Sequence, residues 1–290
     1  YKLPESIRQN AKLVDAKLAN IRVCDPAVGS GAFLVGMMTE IIRAKNTLKP
    51  HLPDEPERNN YTFKCHAIQN CLYGVDIDPG AVEIAKLRLW LSLVVDEEDI
   101  RQIIKPLPNL DYKIVCGNSL LGIERRLENW QLFNEVERLK PLYFDETNAK
   151  KKQEYKSQID DLIRQITNNN QNFDFEVYFS EIFHEKGGFD AVIANPPYGV
   201  ELNKYEKEFV DKKFYKFKSQ IKNSAIYFIY RADELLHERG AHTYIVPKSL
   251  CYSMGWNKCA SVVISGLQKL IDTGKAFEEV KLEQVIFVRT

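Results

Sequence analysis

Long hydrophobic runs are missing from this 290-residue chain. No apolar stretch approaches the roughly 20 residues that cross a bilayer, and residues 1–5 lack the basic, apolar and small-residue succession of a secretory signal. A cytoplasmic protein with no membrane partner is expected. A charge of one sign is missing too, because 40 Lys and Arg balance 40 Asp and Glu. Such a chain is neither a polybasic nucleic-acid binder nor an acidic tail, so any nucleic-acid contact must come from a local patch or from other parts of a larger protein. Cysteine is sparse: Cys24, Cys65, Cys71, Cys116, Cys251 and Cys259 contain no C-x-x-C pair. This argues against a disulfide framework and leaves reduced, mostly buried thiols as the expectation. Cys65, His66 and Cys71 have no second ligand pair at zinc spacing, so no metal site is expected.

What is present is 44% hydrophobic residues, enough for one sizeable core, or for one core and a smaller appendage. Ile21, Arg22, Val23 and Cys24 read as a short strand ending at Asp25, followed by a Gly/Ser turn and an apolar helix over 32–43. Residues 51–60, rich in Pro, Asn and acids, read as a loop. A second strand covers 72–75 and ends at Asp76; a long, largely buried helix covers 81–94; a third strand covers 112–116 and runs into Gly117 and Asn118. From Ile123 to Lys186 the texture turns to Glu, Lys, Gln and Asn with apolar residues at helical spacing: Leu127, Trp130, Phe133, Val136 and Leu139, then Ile159, Leu162, Ile163 and Ile166. That predicts a helical insertion. A strand over 189–194, a helix over 225–239, and strands over 243–246 and 285–288 complete the chain. Alternating strands and helices predict an α/β fold, Rossmann-like and doubly wound. Its sheet is mostly parallel and binds ligands at the carboxyl ends of its strands.

Three groups of residues carry chemistry. In the run from Asp25 to Leu34, Gly29 and Gly31 allow a tight turn and a close backbone approach to a ligand. The helix that follows offers unpaired N–H groups to a carboxylate, and Asp25 can accept from an ammonium group. An ordinary strand-to-helix turn is the plainer reading of the same residues. Leu34 stands where a dinucleotide fingerprint needs its third glycine, which disfavours NAD. Asp76, at the next strand end, can accept from both hydroxyls of a ribose, and Ile77 could cover an adenine face. Asp78 reads as the cap of the following helix. In the third group, Asn195, Pro196, Pro197 and Tyr198 follow a strand. The prolines remove two backbone donors, leaving carbonyl oxygens and the Asn195 amide oxygen to accept from an exocyclic amino group, with Tyr198 as an aromatic face. A merely rigid loop is the alternative.

Together these groups resemble the gamma-class adenine-N6 DNA methyltransferases, and most closely the methyltransferase domain of type IIG restriction-modification enzymes. The resemblance rests on DPAVGSGAFL at 25–34, YGVDIDPGAVEIAKLRLWLSL at 73–93, CGNSLLG at 116–122 and FDAVIANPPYG at 189–199. It implies a Rossmann-like S-adenosylmethionine-dependent methyltransferase fold and S-adenosylmethionine as cofactor. Residues 1–122 would form its cofactor-binding part, 123–186 the insertion and 187–290 its catalytic part. Asp25, Ala27 and Gly29 would line the methionine end, Asp76 would hold the ribose and Asn118 would meet the adenine; Gly31 and Ile77, read above from the residues themselves, complete the expected cofactor-binding set. At 118 the family often has an acid, so Asn118 is a departure. Asn195, Pro196, Pro197 and Tyr198 would receive an adenine flipped out of double-stranded DNA. The resemblance also implies two parts outside this chain, an N-terminal segment that completes the cofactor pocket and a target-recognition domain, and any nuclease activity would lie outside it too.

Past the third group, Lys204, Lys207, Lys212, Lys213, Lys216, Lys218 and Lys222 alternate with Tyr205, Phe209, Phe214, Tyr215 and Phe217. They read equally as a nucleic-acid grip and as an amphipathic helix with its aromatics in the core. The insertion could contact DNA or act as a helical spacer. Methyl transfer to RNA or to protein glutamine, and a cofactor-binding fragment inactive by itself, stay open as rivals.

Overall fold

The structure, a computed structural model, describes residues 3–53, 58–94, 109–123, 130–167, 173–215, 223–276 and 282–290. The chain gathers into two compact units, Tyr1–Cys116 and Gly117–Thr290.

In the first unit, strands β1 (Val23–Asp25), β2 (Leu72–Asp76) and β3 (Ile114–Cys116) lie in the order β3, β2, β1, all parallel, with Val23 opposite Leu72 and Gly74 opposite Ile114. Helices Ala32–Leu48 and Pro79–Val94 make the two crossovers. β1 and β2 read as continuous apolar runs because their residues are buried almost throughout, as parallel strands covered on both faces require. The first crossover helix buries Leu34, Met38, Ile41, Ile42, Lys45 and Leu48 at helical spacing. Lys45 can be buried because its Nζ lies 2.8 Å from Asp15 Oδ1, which Arg58 also reaches at 2.9 Å. Two short helices, Glu5–Gln9 and Ala11–Ala19, precede β1 and were not foreseen. In the expected loop 51–60 a helix already begins at Asn60, capped by the Asn59 side chain; Asp54, Glu55, Pro56 and Glu57 lie outside the described residues. β3 starts at Ile114 and not at Tyr112, because Tyr112 has φ +59° and the N–H groups of Lys113 and Ile114 both turn back to Leu110 O.

In the second unit, β4 (Phe189–Ala194), β5 (Leu236–Pro247), β6 (Leu267–Gly274) and β7 (Gln284–Arg289) lie in the order β4, β5, β7, β6. β4 and β5 are parallel, with Ala194 opposite Tyr244; β7 runs antiparallel to both its neighbours. Two expectations need correction. The helix expected to reach Arg239 spans Ser224–Leu235, and residues 236–242 extend β5 toward the helix. Leu236 pairs with Phe189 and the His237 ring meets Asp190 at 3.1 Å, tertiary partners that override a polar, helix-like composition. β6 was not anticipated, because its residues are mostly exposed and its order comes from the ladder with β7. None of the cysteines is in a disulfide, but only Cys24, Cys71 and Cys259 are buried. Cys116, where β3 leaves the sheet, and Cys251, in the turn after β5, are exposed, against the expectation of mostly buried thiols.

The residues before β4 are helical: Trp130–Asp145, Ala149–Ile166, Phe175–Tyr178 and Ser180–Lys186. Val136, Leu139, Ile159, Ile163 and Ile166 face the core, whereas Leu127 lies outside the described residues. Helix Ser224–Leu235 is buried along most of its length. From it Arg231, itself 4% exposed, donates through Nε to Ser119 O at 2.9 Å and through Nη2 to Leu121 O at 2.7 Å, with its guanidinium 5.2 Å from the Phe175 ring. Arg231→Ala strips two carbonyls of a charged donor. We expect it to destabilise the fold by about 3 kcal/mol, read as a lower midpoint in urea denaturation. A loss below about 1 kcal/mol would show that the Ser119 to Leu121 segment is held by other contacts.

Candidate active site

The first constellation is built on the ends of β1 and β2. Gly29 (φ +51°) and Gly31 (φ +80°) occupy left-handed backbone that a side chain would strain. The loop they shape is pinned to β2 by Val28 N donating to Val75 O at 2.9 Å. Val28 lies directly over Gly74, where an added Cβ would sit 2.8 Å from Val28 Cγ2. Gly74 therefore fixes how closely the loop approaches the sheet; from sequence it was only a glycine inside a strand.

Asp76 joins the two loops. Its Oδ2 accepts from Gly29 N at 2.8 Å and its Oδ1 from Asp78 N at 3.0 Å, so each oxygen keeps lone-pair capacity for another donor. Ile77 beside it is 65% exposed. Asp78 Oδ1 accepts from Gly80 N at 2.8 Å at the start of the second crossover helix, the capping geometry expected of it. Asp25 is in the opposite condition. It is fully buried; Oδ1 accepts from Ala27 N at 3.0 Å, and Oδ2 has no hydrogen-bond partner. Burial above all pushes this carboxyl up to about 8, opposed by the Ala27 N–H and reinforced by the charge of Asp76. A buried oxygen without a donor costs about 1–3 kcal/mol, and a ligand ammonium group would satisfy it.

In the second unit, Asn118 Nδ2 donates to Glu206 Oε1 at 2.8 Å, and Asn118 Oδ1 accepts from Leu120 N at 3.1 Å. Glu206 also closes a capping box with Asn203 at the start of helix Lys204–Lys213. β4 ends at Ala194 and the Asn195–Pro196–Pro197–Tyr198 turn begins. Tyr198 Oη lies 2.7 Å from Asn195 Oδ1 and 2.9 Å from Ile245 O. Burial holds this phenol well above the usual tyrosine range. Ser224 Oγ donates to Pro197 O at 2.5 Å and accepts from Val200 N at 3.3 Å, bracing the turn from the first residue of its helix. A cavity of about 470 Å³ lined by Gly199, Val200, Glu201, Leu202, Lys207, Ser224 and Tyr227 opens beside the turn. Ser224 and Glu206 were not singled out from sequence. The N-x-x-E pattern at 203–206 signals a helix start but not a bond to Asn118.

The basic and aromatic stretch divides. Phe214 is buried against Tyr227 and Tyr230, and Lys213 pairs with Glu234 at 3.0 Å, while Tyr205 and Tyr215 are 53% and 63% exposed. Lys216, Phe217, Lys218 and Lys222 lie outside the described residues. Among the described residues there is no cluster of three metal-ligating side chains, and no helix is long and apolar enough to cross a membrane.

The state of Asp25 has a pH signature. Its carboxyl ionises near 3.8 when unfolded and near 8 when folded, so between these values the native state holds the extra proton. Stability is unaffected by this group below about pH 4, falls as pH rises by up to about 1.4 kcal/mol per unit toward pH 8, and then levels. Asp25→Asn should remove that slope. Urea denaturation of both proteins from pH 5 to 8 checks it, and a constant difference over that range would mean that Asp25 does not carry the proton.

Residues 70–277 match a family described as the Eco57I restriction-modification methylase. A Methanocaldococcus jannaschii protein described as a type II restriction enzyme and methyltransferase is 28% identical over 345 aligned residues, covering 85% of this chain and 28% of that protein. The ATP-dependent Type ISP restriction-modification enzyme LlaBIII bound to DNA superposes with a TM-score of 0.56 at 11% identity, over 98% of this chain and 18% of that one. A nuclease-deletion mutant of the Type ISP enzyme LlaGI, in complex with a DNA substrate mimic, gives 0.55 at 12% identity over 100% and 23%. At such identities the superpositions establish the α/β fold alone. The chain spans 28% or less of the length of each of these proteins.

Proposed function

The chain belongs to the Eco57I restriction-modification methylase family, and from that premise we propose that it transfers a methyl group from S-adenosylmethionine to the N6 amino group of adenine in double-stranded DNA. The observation that carries the reading is the acceptor-rich turn at the end of β4. There Asn195 offers an amide oxygen and Pro196 and Pro197 offer carbonyls without N–H donors.

In this reading residues 1–122 hold the cofactor, 187–290 hold the methyl acceptor, and 123–186 are a helical spacer. The bare Asp25 oxygen takes the ammonium group, and the backbone at Ala27, Gly29 and Gly31 lines the methionine end. The free lone pairs of Asp76 take the ribose hydroxyls, Ile77 covers the adenine, and Asn118 meets its edge. S-adenosylmethionine, when bound, supplies a methyl group already activated on a sulfonium. Asn195 and the Pro196 carbonyl accept the two N–H bonds of the target amino group. The nitrogen lone pair, otherwise delocalised into the ring, is thereby localised for in-line attack. The base has to leave the duplex to reach them, and the Tyr198 ring provides the face on which it stacks. Sequence recognition and any cleavage belong to regions beyond these 290 residues, and the protein works on cytoplasmic DNA. An RNA base or a protein glutamine presents a similar planar amino group; family membership favours DNA.

The test uses labelled S-adenosylmethionine with DNA, RNA and a glutamine-containing protein acceptor, followed by nucleoside analysis. Label is expected in N6-methyladenine of DNA. In single-turnover measurements on the complete protein, Asn195→Ala should lose at least about a hundredfold in rate while binding cofactor normally, because its acceptor matters most in the transition state. Transfer at the wild-type rate by Asn195→Ala, or label only in cytosine, RNA or protein, would overturn the assignment.

A further inference from the structure

Tyr198 Oη has two oxygen neighbours and one proton. It lies 2.7 Å from Asn195 Oδ1 and 2.9 Å from Ile245 O. Ile245 O can only accept. If the proton goes to Asn195 Oδ1, Oη and the Ile245 carbonyl face each other at 2.9 Å with no hydrogen between them. If it goes to Ile245, the same conflict arises at 2.7 Å with the amide oxygen. Rotating the Asn195 amide by 180° about its last torsion exchanges oxygen and nitrogen at almost unchanged positions and removes the conflict. Asn195 Nδ2 then donates to Tyr198 Oη, and Tyr198 donates to Ile245 O.

We infer that the Tyr198 hydroxyl is a positioning group: it relays a hydrogen bond from the Asn195 amide to the Ile245 carbonyl and so turns the Asn195 oxygen away from Tyr198, free for the methyl acceptor. The inference rests on the reading that Asn195 accepts from the target amino group. The last β4/β5 register pair is Ala194 with Tyr244, and the following Pro196 and Pro197 have no N–H with which to continue the ladder. Ile245 O is therefore left at the end of the ladder, and the phenol is the donor that reaches it. Burial keeps that phenol protonated and able to donate. Ring and hydroxyl thus do separate work, the ring as a stacking face and the hydroxyl on Asn195.

Tyr198→Phe separates the two, since it keeps the ring and removes only the relay. Selective ¹⁵N-asparagine labelling of the complete protein reads the amide without reference to activity. In the wild type one Asn195 side-chain N–H should exchange slowly with solvent, and Tyr198→Phe should abolish that protection. In single-turnover methylation, Tyr198→Phe should slow transfer about tenfold with unchanged apparent affinity for DNA, whether the target adenine is paired or mispaired. In an Asn195→Ser background the same substitution should cost little, because the relayed amide is gone. An unprotected Asn195 amide in the wild type overturns the relay, and so does an equal loss in both backgrounds. Failure of the wild type to methylate DNA, with the amide protected, would overturn the assigned reaction and leave the relay standing.

Discussion

Two absent N–H groups, those of Pro196 and Pro197, set the conditions to which the rest of the second unit responds. A parallel ladder normally continues until its backbone donors run out. Here it stops after Ala194, and the carbonyls past that point need donors from elsewhere. Ile245 O is met by the Tyr198 phenol and Pro197 O by the Ser224 hydroxyl. Both donors reach their places only because of the architecture around them. Tyr198 is the last residue of the turn, and Ser224 opens a helix of 12 residues, about 18 Å long. Further along that helix Arg231 holds the carbonyls of Ser119 and Leu121. One helix therefore braces both the turn after β4 and the segment that carries Asn118.

The first unit meets a different constraint, the placing of two carboxylates at adjacent strand ends. Asp76 solves it with backbone: both oxygens are partly satisfied by N–H groups of the loops they join, and capacity remains. Asp25 leaves it unsolved, with one oxygen buried and bare and its proton affinity raised. A fold selected for stability alone would not keep such a group, since an asparagine or a serine there would be less costly. Perturbed carboxylates of this kind collect where ligands bind. A ligand carrying an ammonium group and a vicinal diol would relieve Asp25 and use the spare lone pairs of Asp76 together.

Legibility in the sequence followed the range of the interactions involved. β1, β2 and β4, the glycine turn at 29–31 and the Asp78 cap depend on neighbours within a few residues, and their patterns are plain. Gly74 is required by Val28, far earlier in the chain, and Arg231 answers to Ser119 across 112 positions, distances at which no local pattern speaks. β6 shows the same limit. With most of its residues exposed it has no alternation to read, and pairing with β7 alone makes it a strand. The start of β5 was misread because His237, Glu238 and Arg239 suit a helix end by composition, while Asp190 and Phe189 decide otherwise through contact.

The departure at position 118 becomes intelligible by the same reasoning. Related methyltransferases often carry an acid here, and this chain has Asn118, whose amide donates to Glu206 at 2.8 Å. The carboxylate has not vanished from the neighbourhood; it arrives from the helix Lys204–Lys213, which follows the turn after β4. Glu206 is committed at its other oxygen to the Asn203 N–H of the capping box, so its position is fixed by the helix start. An aspartate at 118 would bring a second negative charge against it at hydrogen-bond distance, and one of the two would be forced to take up a proton. An amide avoids that conflict, because its nitrogen satisfies Glu206 while its oxygen takes the Leu120 N–H and retains a lone pair. Asn118 and Glu206 are therefore best understood as one unit, in which the choice of residue at 118 follows from the capping box at the start of helix Lys204–Lys213.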